Sequence, residues 1–161
     1  MRKASRSLLV VCAVAVAAFA LRRDDRSEEA RVRSLMAELR SEGSQQPATP
    51  RAVAAALQKA GATGLRLSFD LLASSEAHLR AGAAANLGML GCRTAVPRLV
   101  RLLRDPEPGV QRTVASALGA IADPRALPFL ERELTNSDVT LAEAALQAAR
   151  RIRRARPPEQ G

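Results

Sequence analysis

Apolar positions in the second half of the chain recur at two nested spacings. Within short stretches they fall three and four residues apart: Leu79, Ala83, Asn86, Leu87 and Leu90 mark one stripe. That spacing places a single face of an α-helix against a core. The same stripe returns 31 residues later as Val110, Val114, Ala117, Leu118 and Ile121. A second helical stripe follows each of these: Val96, Leu99, Val100 and Leu103, then Leu127, Leu130, Glu131 and Leu134. Small residues lie between the apolar positions of the first helix (Ala81, Gly82, Ala84, Ala85; Ala115, Ser116) and permit close helix approach. The pattern predicts tandem helix pairs.

The turn chemistry agrees. Asp105-Pro106 and Asp123-Pro124 each set a capping carboxylate before a proline, the order expected at a helix start. The beat extends weakly in both directions. Leu65 and Leu72 fit one period earlier, and Leu141, Ala145, Ala148 and Ile152 give a further first helix before Pro157-Pro158. Residues 49–156 are therefore predicted to form the repeat array, with two clear units, a degenerate unit before them and a half unit after. Residues 157–161 are a polar tail. Repetition has a physical reason: one helix pair cannot hide its apolar face alone, whereas stacked pairs bury a continuous core.

The first 48 residues follow another pattern. Arg2, Lys3 and Arg6 precede an unbroken apolar run from Leu8 to Leu21, which breaks into charge at Arg22. As a helix that run spans about 21 Å, short of the roughly 30 Å of a bilayer core. Its length, with Ala18-Phe19-Ala20 as a cleavage site, fits an export signal over residues 1–21; an uncleaved anchor formed by residues 8–21 is the alternative. Either places the rest of the chain in the periplasm, outside the cell, or tethered to the inner membrane. Residues 22–48 hold a short amphipathic helix, capped at Ser27 and striped by Val32, Leu35, Met36 and Leu39, followed by a linker.

Composition sharpens the fold class. Apolar residues make up 47% of the chain but aromatics only 2%, with no Trp or Tyr. Alanine and leucine carry the core, which suits closely packed helices and disfavours a β-sandwich. The formal net charge is +9, almost all of it from Arg, since Lys3 and Lys59 are the only lysines. Acidic partners, phosphate and anionic lipid are all compatible with that charge, as is a solvated surface. With Cys12 in the leader, a cleaved chain keeps only Cys92, so no internal disulfide supports the fold.

"ALGAIADPRALPFLEREL" and "NLGMLGCRTAVPRLVRLLRDPEP" resemble HEAT repeats of the short, PBS-lyase-like class. The shared features are a leucine-glycine pair, a Gly-Asp-Pro-Arg-Ala turn, a Val-Pro-x-Leu stretch and a Leu-Leu-x-Asp ending. The turn is kept at Asp123-Pro124-Arg125-Ala126 and degraded at Cys92-Arg93-Thr94-Ala95, where the proline is missing. The resemblance covers most of residues 76–153. It implies an all-α solenoid related to armadillo-like helical folds, and for most members a protein-binding role. Some HEAT-like relatives are bilin lyases, and others are iron-dependent hydroxylases with repeated His-Glu pairs. Here the single histidine, His78, is followed by Leu79, and no such pair exists.

Chemistry is sparse. One histidine cannot build a His-based metal cluster or a Ser-His-Asp triad. Gly61-Ala62-Thr63-Gly64 reads as a helix stop and turn, not a phosphate loop. Cys92 stands where Asp123 stands one unit later, as a reactive thiol or an idle substitution. Glu131 replaces Val100 on a core-facing column, so a pairing arginine or a less buried array end is expected there. No catalytic residue, cofactor or metal is assigned.

The outward columns of the second helices read Leu67, Arg98, Phe129; Asp70, Arg101, Arg132; and Ala73, Arg104, Thr135. On the resemblance these line a concave face. Arg98, Arg101, Arg104, Phe129 and Arg132 are then candidates to bind an acidic segment of a protein partner, against the alternative of a solvated face. Arg150, Arg151, Arg153 and Arg154 cap the last helix or meet an anionic membrane surface. Nucleic acid ranks last, because no stacking aromatics accompany the arginines. The expectation is a non-catalytic scaffold or adaptor of the bacterial cell envelope. An enzyme or enzyme subunit of the lyase-like HEAT class, or a peripheral membrane binder, is the alternative.

Overall fold

A computed structural model describes residue 30, residues 32–37 and residues 49–155. The apolar leader, the linker before Thr49 and the polar tail lie outside these residues. Residues 32–37, within the expected amphipathic helix, are helical, and its Ser27 cap and Leu39 lie outside the described residues. Its Leu35 is buried, and Val32 and Met36 pack against the common core.

Thr49 opens α1 (Pro50–Lys59): its Oγ1 accepts the Ala52 amide at 3.2 Å, and Pro50 takes the first helical position, where a missing N–H leaves nothing unpaired. Next comes α2 (Gly61–Leu71). The Gly61–Gly64 stretch, expected to be a stop and turn, ends α1 but runs straight on as the first turn of α2. Gly64 makes this sharp reversal possible, since a Cβ there would collide with the Leu57 carbonyl.

The regular units follow. First helices are α3 (Ala77–Met89) and α5 (Pro108–Ile121); second helices are α4 (Val96–Leu102) and α6 (Leu127–Glu133). Short 3-10 turns, Arg93–Ala95 and Pro124–Ala126, lead into the second helices. A last first helix, α7 (Val139–Ala155), closes the described part. Every regular element among the described residues is helical, and the architecture is an all-α solenoid.

The interior follows the apolar stripes. Leu79, Leu87, Leu99, Leu118, Leu130 and Leu141 are all 0% exposed. Each buried leucine contributes roughly 1.5–3 kcal/mol relative to an exposed one. First helices lie side by side, and each second helix packs mainly against the first helix of the following unit. The leucine-glycine pair explains how close the first helices come. A Cβ on Gly88 would fall 2.8 Å from Ala117 Cα, and one on Gly119 would fall 2.7 Å from Ala148 Cα. Glycine and alanine therefore let the backbones of α3, α5 and α7 pack almost in contact.

Some positions depart from the pattern. Leu90 is 46% exposed and Leu134 38%, although both stripes turned them inward. Leu90 is the residue that ends its helix; Leu134 ends α6 as the buried Leu103 ends α4, but α6 is the last second helix among the described residues. Leu67, placed on an outward column, is buried. Asp105 does not cap α5, which starts at Pro108 after Glu107. Its carboxylate instead accepts the Glu107 amide at 2.9 Å and both Nε and Nη2 of Arg80, at 2.7 and 2.8 Å. Arg80 Nη1 donates to the carbonyls of Ser74 and Ser75, so a buried cation has four of its five N–H donors engaged between two inter-unit turns. Burial alone would push the Asp105 carboxyl up. The Arg80 hydrogen bonds, the Glu107 amide and the Arg80 charge outweigh it and hold that group below the usual carboxylate range.

Candidate functional site

The second-helix face carries a recess. Because α4 leans on α5 and α6 on α7, α4 and α6 do not close over one another, and a cleft of about 340 Å³ remains between them. Val96, Pro97, Val100 and Arg101 line one side; Arg125 and Phe129 line the other. The volume lies near the lower end of the roughly 300–1,000 Å³ typical of ligand sites. Val96 and Val100 were expected to face fully inward. Val100 is only half-buried, and so forms part of the cleft floor.

Local turn chemistry sets the rim. Asp123 opens the turn before α6 by accepting the Arg125 amide at 3.0 Å. The Arg125 guanidinium returns to the same carboxylate through Nη2 at 2.6 Å, and that hydrogen bond holds the Asp123 carboxyl below its usual range. Arg125 is thereby fixed beside the cleft. Cys92, the equivalent residue one unit earlier, provides no such anchor; its Sγ lies 3.3 Å from Thr94 Oγ1. Two further arginines are steered by aromatic rings. Arg98 stands over Phe69 at 5.1 Å and Arg132 over Phe129 at 5.9 Å. A guanidinium over a ring face is held by the ring quadrupole without losing its charge.

The candidate residues thus divide. Arg98, Arg101, Phe129 and Arg132 share the second-helix face, and Arg101 and Phe129 touch the cleft itself. Arg104 is exposed in the turn after α4, off the cleft. Arg150, Arg151, Arg153 and Arg154 are exposed on the last turns of α7, and Arg153 is bound to Glu131 at 2.7 Å. Glu131 therefore has both the arginine partner and the exposed position that its place in the sequence called for. Arg125 had been noticed only as part of the turn motif; its place two residues from a capping aspartate was the available signal.

Little else gathers chemistry. His78 lies in the first turn of α3, with Nε2 buried and 3.5 Å from Glu76 Oε2. Among the described residues no three His, Cys, Asp or Glu side chains come together as a metal ion would need. An iron centre built from repeated His-Glu pairs, as in some HEAT-like hydroxylases, does not fit these residues.

With the fold and the cleft described, the comparison with known proteins decides the family. A model of HEAT repeats matches residues 65–150. The chain belongs to the HEAT-repeat family. The short repeats are compatible with the PBS-lyase-like class. Deoxyhypusine hydroxylase of Bos taurus is 41% identical over 68 residues, covering 41% of this HEAT-repeat chain and 22% of the bovine protein. The Gallus gallus deoxyhypusine hydroxylase is 39% identical over 82 residues, covering 50% of the chain and 27% of that protein. The solved structure of human deoxyhypusine hydroxylase in complex with glycerol superposes with a TM-score of 0.59 at 27% identity, over 81% of this chain and 46% of that one. The chain thus spans about a quarter of the length of the curated relatives it matches.

These matches overturn the non-catalytic adaptor expected from the sequence. The relatives are named for an enzymatic activity, which conflicts with a scaffold of the cell envelope and with the periplasmic and membrane attributes attached to it. The expectation that the chain is not an enzyme falls with it. The error has a physical source: absence of a local catalytic motif was read as absence of catalysis, and fold does not settle that. No helix among the described residues is long and apolar enough to cross a membrane.

Proposed function

We propose that this HEAT array is part of an enzyme of the hydroxylase-like HEAT kind, as an enzyme subunit or recognition module. Its second-helix face holds the substrate while the reacting groups come from outside the described residues. The observation that carries this reading is the 39–41% identity to deoxyhypusine hydroxylases across the repeat region. The chemistry of the chain supports the division of labour. Among the described residues no donor set fits a metal, whereas a preformed apolar cleft with arginines on its rim fits recognition. Binding a substrate in a rigid recess supplies orientation, which lowers a barrier without any reacting group in the recess itself.

The test uses the full chain, tagged and isolated under native conditions from its source cells. The isolated material is incubated with a deoxyhypusine-bearing protein, and mass spectrometry follows the gain of one oxygen atom. The proposal expects oxygenation by the native assembly, and none by the recombinant chain alone. A native assembly that fails to oxygenate the protein would remove the hydroxylase-like reading.

A further inference from the structure

The cleft between α4 and α6 has a composition that selects its occupant. Its floor is aliphatic, from Val96, Pro97 and Val100, and Phe129 adds an exposed ring at one wall. Arg101 and Arg125 stand on the rim and Arg132 lies over the Phe129 ring, while Arg98 is turned to Phe69 of the preceding unit. Two nearby carboxylates are matched by arginines, while Asp70, one unit before Arg101 on the same column, is exposed. Asp123 is bound to Arg125, Glu131 is bound to Arg153, and Glu133 accepts a hydrogen bond from Asn136 at 2.8 Å. Arg101 has no carboxylate partner among the described residues. With Arg125 matched by Asp123, the face keeps the charge of Arg101 and Arg132 beside an uncharged hollow.

We infer that the cleft binds a protein segment in which one large apolar side chain is flanked by acidic residues. The apolar side chain fills the hollow between Val96, Val100 and Phe129, which removes apolar surface from water on both partners. Its flanking carboxylates meet Arg101 on one side and Arg132, with the outer edge of Arg125, on the other. Arginine suits this because its planar fork grips a carboxylate through two hydrogen bonds. The ring contact lowers the cost further, since Arg132 is partly oriented over Phe129 before any ligand arrives. The +9 charge of the chain steers the same kind of segment toward the face. This assignment rests on the proposed function only in taking the second-helix face as the recognition face. It names the chemistry of what is recognised.

A second recess is larger but less informative. It lies on the first-helix side, lined by Pro50, Ala54, Ala55, Ala85, Met89 and Thr113, and nothing fixes its occupant.

Fluorescence anisotropy of the full chain tests the assignment with a labelled peptide carrying one phenylalanine between two pairs of glutamates. Saturable binding is expected, weakened by added salt as exposed charge pairs are screened. Glutamine in place of the glutamates, or serine in place of the phenylalanine, is expected to weaken binding by about tenfold or more. Arg101→Glu and Phe129→Ser in the protein are expected to do the same, with circular dichroism confirming an unchanged helical fold. Equal binding of the glutamine peptide, or no effect of either protein variant, overturns the assignment. So does the absence of saturable binding. Peptide binding without oxygenation by the native assembly would leave the ligand assignment standing and remove the enzyme reading. Oxygenation without peptide binding would do the reverse.

Discussion

At the residue scale, the structure turns on positions where a side chain is missing or a charge is fully matched. Gly88 has no Cβ because α5 occupies the space: a Cβ would lie 2.8 Å from the backbone of Ala117. Gly88→Val is expected to cost about 1–3 kcal/mol by overpacking, seen as a lower urea midpoint with an unchanged slope. The Arg80–Asp105 pair holds a buried cation by matching it. Asp105→Asn leaves that cation short of its counter-charge and is expected to cost about 3 kcal/mol at neutral pH. The pH dependence has a definite sign. The native Asp105 carboxyl is held below its unfolded value of about 4, so its stabilisation is complete above that pH. It is lost as pH falls through the lower native value. Thermal melts in acid are therefore expected to show a decline in the parent chain that is smaller in Asp105→Asn. This pair was not legible in the sequence, because its partners lie 25 residues apart and only the local Asp105-Pro106 cap pattern pointed to it.

At the element scale, helix order and period were legible from apolar spacing, and the reason is the repetition itself. Each stripe is written more than once, so α3 and α5 support one another as predictions where either alone would be weak. Helix ends were less legible. Leu90 and Leu134 continue the apolar spacing but fall where each helix ends, so spacing alone cannot tell a last core residue from an exposed one. The turn after each first helix needs a left-handed residue. Gly91 provides it with φ of 62°, and Ala122 adopts the same conformation with φ of 54° one unit later. An L-residue there carries a steric penalty of about 1–2 kcal/mol that glycine escapes, offset in part by the freer unfolded glycine chain. Ala122→Gly is accordingly expected to raise the melting temperature by a few degrees, roughly in line with a gain of under 1 kcal/mol. Differential scanning calorimetry reads this directly.

At the scale of the whole molecule, stacking explains both what was legible and what was not. Tandem units bury one continuous core, and the residues that bury it are the ones a sequence displays most clearly. The face left outside is less constrained by folding, so its arginines told of a surface without telling of its use. Arg98, Arg101, Phe129 and Arg132 were identified as one strip; the hollow beside them was not. That hollow arises from how α4 and α6 lean on α5 and α7, a tertiary fact with no local signature. The catalytic association was also beyond the sequence's own motifs, since its support is similarity to hydroxylases over the repeats. The central claim is that the α4–α6 cleft holds a substrate for an enzyme. Steady-state kinetics of the native assembly carrying Phe129→Ser tests it most directly. The account predicts a KM raised about tenfold with kcat little changed, the pattern of lost uniform binding. A KM equal to that of the parent assembly would contradict it.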